Sequence, residues 1–298
     1  MKGDLAIFER SRARLLSIAY RMLGEWAAAE DVVQEAWLRW YGVDSGQIRD
    51  AGAWLSTVTM RLALDALRAA KARRETYVGP WLPEPILPDD ARILLADGPA
   101  EHAELASDLS LALMHVLERL SPDERAALIL HDAFDFDHSE IAVALGKSEA
   151  ASRKLVSRAR ERVKSDRPRF EASPEQRHDL LIRFAKASAG LDMTELAKIF
   201  APDAIAYTDG GGRVRAALNP IFGAEKIARF IVGLASKYPA LDPPRWKLTE
   251  INGSPAMVVG FEGEPPSVIT LECDAERVTA LYVLRNPEKL LRIRRALE

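Results

Sequence analysis

The chain has 298 residues, 48% of them hydrophobic, with a formal net charge of −3, which is enough for two or three domains with their own cores. Its single cysteine, Cys273, excludes an intramolecular disulfide and fits a reducing, cytoplasmic setting. No apolar run has bilayer-spanning length, and Met1-Lys2-Gly3-Asp4-Leu5 has no apolar stretch behind its charge, so neither a membrane contact nor a signal peptide is expected.

Apolar residues recur at helical spacing from Leu5 to Leu23, and Gly24 ends that helix. A second helix is expected from about Ala27 to Tyr41. A third runs from a capping Asp50 to about Glu75. Gly79-Pro80-Trp81-Leu82-Pro83-Glu84-Pro85 cannot be helical, because its prolines remove donors and fix φ, so an extended linker is expected from 77 to about 99. Helix returns from Ala100 to Leu120. Ser121-Pro122-Asp123-Glu124 then opens another helix, to about Phe134, with a Ser cap, an early proline and acids at the positive helix end. A second linker spans 166–174. The remainder, 175–298, reads as an α+β domain. It has two helices, a strand before Gly210-Gly211-Gly212, a helix from Ala224 to about Tyr238, a hairpin turning at Asn252-Gly253, and a further strand pair, in a curved antiparallel sheet.

Two stretches point to DNA. His138 to Lys164 reads as helix, tight turn at Gly146, and a second helix capped by Ser148. That helix has small residues in its first turns (Ala150, Ala151, Ser152), followed by Arg153, Lys154, Ser157, Arg158, Arg160, Arg162 and Lys164. A basic helix following a short apolar one is the arrangement that neutralises phosphates and reaches base edges in the major groove. The second stretch closes the third helix with Arg61, Arg68, Lys71, Arg73 and Arg74, downstream of Trp54, Ser56, Thr57 and Thr59. Those residues suit contact with unstacked DNA, and equally suit cations complementing a helix C-terminus. In the second helix Glu30, Asp31, Gln34 and Glu35 share a face near Trp37, which is either solvated or docks on a basic partner.

Ala29-Glu30-Asp31-Val32-Val33-Gln34-Glu35-Ala36-Trp37, Trp54-Leu55 through Asp65-Ala66-Leu67-Arg68, and Leu120 to Arg125 with Ile141 to Arg160 resemble, in order, segments of the extracytoplasmic-function (ECF) sigma factors of RNA polymerase. Trp81-Leu82-Pro83-Glu84-Pro85, Asp209-Gly210-Gly211-Gly212-Arg213-Val214 and Asn286-Pro287-Glu288-Lys289-Leu290 resemble signatures of the subgroup with a fused SnoaL-like domain, with Arg213 and Glu288 replacing the commoner Lys and Asp. The resemblance implies two all-α sigma domains, 1–76 and 100–165, the second with the helix-turn-helix, followed by an α+β SnoaL-like (NTF2-like) cone-shaped domain at 175–298. It implies that Asp31, Gln34, Glu35 and Trp37 face core polymerase, with the β′ clamp and β flap as partners. Promoter DNA at the −10 element would meet Arg49, Thr57, Arg61 and Arg68; at the −35 element it would meet Arg153, Lys154, Ser157 and Arg158. The fused domain would modulate activity in cis, without a separate anti-sigma protein. Our own expectation is that the 209–214 and 286–290 segments contact either the sigma body or the 81–85 linker, with Trp81, Leu82, Pro83, Asp209, Gly210, Gly211, Arg213, Asn286, Pro287, Lys289 and Leu290 as the regulatory contacts.

No metal or cofactor is expected. SnoaL-like folds include enzymes with an acid/base in a pocket, and Tyr207, Asp209, Trp246 and Tyr282 are the candidate groups here. His178 lies on a helix away from the sheet, Asp209 sits in a glycine-rich turn, and Cys273 ends an apolar strand. A protein-contact role is therefore expected, with a small-molecule ligand as the second reading. The reading that competes with a sigma factor is a repressor with a fused enzyme, which would bind duplex DNA without polymerase and leave the acidic face of the second helix idle.

Overall fold

The computed structural model describes residues 2–74, 76–95, 109–166, 172–236, 245–260 and 264–297. The first apolar repeats form α1 (Lys2–Leu23), α2 (Trp26–Tyr41) and α3 (Ala51–Arg74). Leu15, Ile18 and Met22 of α1, Val33 and Ala36 of α2, and Leu55, Met60 and Leu64 of α3 are buried. Gly24 stops α1 at φ +68°, a left-handed conformation that glycine adopts without strain. Asp50 caps α3, accepting from the Ala53 amide at 2.9 Å.

The next helices are α4 (Pro88–Leu95), α5 (Leu111–Glu118), α6 (Pro122–Leu128) with a π-helical turn at Ile129–Ala133, α7 (His138–Leu145) and α8 (Glu149–Asp166). Helix α4 corrects the expected extended run to Pro99. Pro88 occupies its first position, Asp89 and Asp90 its first turn, and Ala91 and Leu94 supply a buried face. Of the helix expected from Ala100, residues 100–108 lie outside the described residues, as do 96–99 and 167–171 of the two linkers and Glu75 at the end of the third helix. Residues 1–76, 89–109 and 113–166 form one compact helical unit.

Residues 77–88, 110–112 and 167–298 form the second unit. It contains α9 (Pro174–Ala189), α10 (Met193–Ile199), β1 (Phe200–Asp209), β2 (Ile221–Phe222), α11 (Ala224–Ala235), β3 (Arg245–Ile251), β4 (Ser254–Gly260), β5 (Ser267–Cys273), β6 (Val278–Leu284) and α12 (Leu291–Leu297). The sheet order is β2-β1-β6-β5-β4-β3. The expectation of a wholly antiparallel sheet is corrected: β1 and β6 run parallel, Tyr207 opposite Tyr282. A parallel pair needs a long crossover, and the intervening helix and meander supply it.

Side chains alternate between two cores along each strand. Met257, Leu271, Leu281 and Val283 face helices α9 to α11 with Leu181, Phe184 and Phe200. Val258, Val268, Tyr282 and Leu284 face the other way, packing with Leu82, Leu290 and Ile293. The segment before α4 is thus part of the second unit's core.

Candidate functional site

In the helical unit Asp31, Gln34 and Glu35 are exposed on α2. Asp31, Gln34 and Trp37 line an open groove of about 510 Å³ with Leu5, Phe8 and Arg12 of α1. Trp37 is half-buried against the Phe8 ring at 4.9 Å, whereas Glu35 pairs with Arg39 at 3.1 Å.

Helix α3 carries less free polar surface than its sequence suggests. Ser56 and Thr59 are buried, the Trp54 ring lies tilted by 51° against that of Trp40 at 5.4 Å, and the Thr57 hydroxyl donates to the Ala53 carbonyl at 2.9 Å. Arg49 is exposed in the preceding loop. Arg61 donates through Nε to the Ala144 carbonyl at 3.1 Å and through Nη2 to that of Val143 at 2.7 Å, satisfying the open end of α7. Arg68 reaches Asp123 at 2.8 Å, and Lys147 meets the same carboxylate at 2.8 Å. Burial pushes the Asp123 carboxyl up, but hydrogen bonds from Lys147 and Arg68 outweigh it and hold it below the ordinary carboxylate range. Both arginines of α3 singled out from the sequence are therefore bound to the helix-turn-helix half of this unit. Of the other cations noted there, the Arg73 side chain lies outside the described residues, and Arg74 pairs with Glu25 at 3.3 Å.

The helix-turn-helix is built as its residues dictate. Asp137 and Glu140 form a reciprocal capping box for α7, Gly146 turns at φ +64°, and the Ser148 hydroxyl caps α8. Val156, Ala159 and Val163 face inward. Arg153, Lys154, Ser157 and Arg158 are exposed along one stretch, with Arg153 paired to Glu149. Arg160 and Arg162 instead hold Asp132 and Glu124. Ser152, one of the small residues of the first turns, is fully buried, 3.4 Å from His138 Nδ1.

The second unit grips residues 77–86. Asp209, 0% exposed at the end of β1, accepts from the Tyr77 hydroxyl at 2.6 Å, the Leu82 amide at 2.9 Å, the Gly211 amide at 3.0 Å and the Lys289 ammonium at 2.7 Å. Lys289 also donates to the Leu82 carbonyl at 2.5 Å and lies over the Trp81 ring at 4.2 Å. Asn286 donates to the Tyr77 hydroxyl at 2.9 Å. Leu82, Pro83 and Leu290 are buried, Pro287 is half-buried, and Arg213 pairs with Glu288 at 2.8 Å on the surface. A Cβ on Gly210 would strike the Val214 carbonyl, and one on Gly211 the Asn286 side chain, so both glycines are sterically required. The structure thus brings together Trp81, Leu82, Asp209, Gly211, Asn286 and Lys289. Sequence reasoning missed Tyr77 and Asn252. Asn252 exchanges two hydrogen bonds with the Ile86 backbone, at 3.0 and 3.1 Å, although its sequence signal was only that of a hairpin turn.

The catalytic candidates do not converge. Tyr207 and Tyr282 stack on each other at 5.5 Å on the sheet face opposite the helices, Asp209 is consumed by the grip, and Trp246 stands at a separate cavity. Burial pushes the Cys273 thiol up to about 12, which leaves it unreactive at neutral pH.

Residues 7–73 match the family Sigma-70 region 2 and residues 110–163 match Sigma-70 region 4. The ECF RNA polymerase sigma factor SigJ of Mycobacterium tuberculosis is 39% identical, covering 96% of this chain and 93% of its own length. The chain belongs to the ECF sigma factors of RNA polymerase. A probable ECF sigma factor of the same organism, SigI, is 30% identical, with 96% and 94% covered. The crystal structure of SigJ superposes on this sigma factor with a TM-score of 0.75 at 37% identity, covering 96% of this chain and 98% of that one. The likeness spans both units, so the two helical sigma segments are followed by a SnoaL-like α+β domain. Family membership removes the polymerase-independent repressor. Among the described residues of this sigma factor, no helix is long and apolar enough to cross a membrane.

Proposed function

We propose that this chain works in the cytoplasm, docks on core RNA polymerase through the α1–α2 groove, reads two promoter elements with its helical unit, and is restrained by its own C-terminal domain. The groove offers the acids Asp31 and Glu30 beside the apolar Phe8 and Trp37, a surface suited to a basic, partly apolar partner such as the polymerase clamp, with the β flap as the second polymerase contact. Arg49, Thr57, Arg61 and Arg68 serve the downstream element, and Arg153, Lys154, Ser157 and Arg158 the upstream one. The C-terminal domain acts as a regulator, not an enzyme, and needs no separate anti-sigma protein.

One observation carries the restraint: Arg61 and Arg68 are bound to Ala144, Val143 and Asp123 of the helix-turn-helix half, so these α3 cations are not available to DNA. The grip of Asp209, Asn286 and Lys289 on Tyr77 and Leu82 shortens the free tether between α3 and the helices that follow. An activator shifts this balance only by its differential affinity for the restrained and released forms.

Run-off transcription with core polymerase tests the reading, using the full chain and a truncation ending at Pro174. A specific transcript from either is expected, with output differing between the two at matched protein levels. Equal output would remove the regulatory role of the last domain, and the absence of any transcript would remove promoter recognition.

The upstream contact has its own test. Arg153→Ala and Lys154→Ala should each weaken binding of the holoenzyme to promoter DNA and lower the salt-dependence slope by about 1 for each phosphate left without its cation. An unchanged slope in both variants would move the DNA face elsewhere on α8.

A further inference from the structure

We propose that the open groove between α10, α11 and the β5–β6 turn of the C-terminal domain binds single-stranded nucleic acid. Lys226, Arg229 and Arg277 take its phosphates and the Phe222 ring stacks on a base. The proposal goes beyond the promoter contacts of the helical unit and does not rest on the restraint argued above.

The groove measures about 820 Å³. Its cations come from three elements: Lys198 from α10, Lys226 and Arg229 from α11, and Arg277 from the β5–β6 turn. Leu196 and Ile199 bury the inner side of α10, and Ile227 and Ala228 that of α11, which leaves Lys198, Lys226 and Arg229 exposed. Lys226 and Arg229, three residues apart, share one face of α11. The Asp274 carboxylate accepts from the Glu276 and Arg277 amides, both at 2.8 Å, and this turn fixes the root of Arg277. Lys198 reaches Glu195 at 3.9 Å, and Glu195 also takes Arg183 at 3.0 Å. Lys226, Arg229 and Arg277 have no ion pair among the described residues, and Glu225 is the one carboxylate lining the groove. In a chain of net charge −3, four cations gathered around one groove repel one another and attract a polyanion.

The apolar part of the groove selects the kind of polyanion. Strand β2 alternates: Ile221 packs into the core and Phe222, 58% exposed, turns outward. Gly223 at φ +93° then bends the chain into α11, so this ring and the α11 cations line one groove. An exposed flat ring beside unpaired cations stacks a base while the neighbouring phosphates are neutralised. A duplex keeps its bases on one another and offers none to Phe222. An acidic amphipathic helix needs apolar anchors repeating over two turns. The large exposed apolar side chains of this groove are Phe222 and Met193. Transcription provides two single strands, the opened promoter DNA and the new transcript.

Fluorescence anisotropy of the full-length chain tests the site with oligo(dT) and oligo(U) of about 20 nucleotides, the matching duplex, and polyglutamate as competitor. Lys226→Ala/Arg229→Ala/Arg277→Ala should lower the salt-dependence slope for the single strand by about 2, at about 0.7 for each phosphate left without its cation, and weaken binding about 100-fold at ~0.1 M salt. Phe222→Ala should weaken binding about tenfold with the slope unchanged, because stacking releases no counterions. All four side chains are exposed, and circular dichroism melts separate loss of contact from loss of fold. Arg153→Ala/Lys154→Ala should leave single-strand binding in place, which sets the groove apart from the DNA face of α8. Preference for oligo(dT) assigns the opened promoter strand and preference for oligo(U) the transcript; either supports the site. An unchanged slope in the triple variant overturns the groove. Tighter binding of the duplex than of oligo(dT), or no effect of Phe222→Ala, overturns the single-strand assignment. Polyglutamate that displaces oligo(dT) as effectively as unlabelled oligo(dT) does would give the groove to an acidic protein segment instead.

Discussion

Replacing Asp209 with alanine should lower the stability of the C-terminal unit by about 3–5 kcal/mol, the cost of leaving one partner of a buried ion pair without the other. The size of the effect follows from what stays behind. Lys289 is 8% exposed, and Asp209→Ala takes the carboxylate from its ammonium, which also donates to the Leu82 carbonyl and lies over the Trp81 and Tyr77 rings. The Tyr77 hydroxyl, the Leu82 amide and the Gly211 amide lose their acceptor at the same time. Urea denaturation followed by tryptophan fluorescence measures the loss. Hydrogen exchange locates it, with the Leu82 and Ile86 amides losing protection before the β4–β6 ladder does. Asp209→Ala/Lys289→Met should recover part of the deficit, because it removes the stranded charge and leaves an apolar chain over Trp81. Tyr77→Phe should cost less, about 1–2 kcal/mol, since it removes one donor to Asp209 and one acceptor from Asn286 but no charge. A double variant no more stable than Asp209→Ala would mean that the carboxylate acts through the backbone amides and not through Lys289.

What could be read in the sequence followed the range of the interactions involved. The helix-turn-helix is set by contacts a few residues apart: the Gly146 turn and the Ser148 cap were read as residue types at fixed spacing, while the equally local Asp137–Glu140 box was missed. The signature runs around Trp81, Asp209 and Asn286 were also legible as runs. Their joint geometry was not. Tyr77 meets Asp209 across 132 residues and Ile86 meets Asn252 across 166, and nothing local in either partner reports the other. The parallel β1–β6 pair was hidden for the same reason. Helix α12 was missed because Leu291-Arg292-Ile293-Arg294 alternates with the period of a strand, while Leu290 and Ile293 together seal the core beside Leu82. Helix α3 shows the opposite error. Ser56 and Thr59 read as open polar groups because composition does not say which face of a helix is covered.

Glu118→Ala should destabilise the helical unit by a comparable amount, about 3–5 kcal/mol, and should also alter its function. Glu118 on α5 joins the halves of that unit. It pairs with Arg125 of α6 at 2.7 Å and with Arg74 at the end of α3, and Arg125, 1% exposed, also donates to the Arg21 carbonyl of α1 at 2.9 Å. Burial pushes the Glu118 carboxyl up, but the charges of Arg125 and Arg74 and their hydrogen bonds outweigh it and hold it below the ordinary value. A carboxyl depressed in the folded state contributes its stability in full above the unfolded value of about 4.3 and loses it as pH falls through the lower folded value. The native unit should therefore weaken steeply under acid, and Glu118→Gln should be less stable near neutrality yet flatter across that acid window. Urea melts taken from about pH 7 to about pH 3 would show it, and a variant whose acid limb stays as steep as the native one would assign the limb to another carboxylate. The functional consequence is separable from the stability loss. Arg74 and Arg61 lie on the same helix, so loosening Arg74 from Glu118 of α5 weakens the packing that keeps Arg61 on the Ala144 and Val143 carbonyls. If the closed arrangement withholds α3 from the promoter, Glu118→Gln holoenzyme should produce more transcript than native holoenzyme under conditions where both are folded. Lower output in step with lower stability would mean that the closed helical unit is the form that reads DNA.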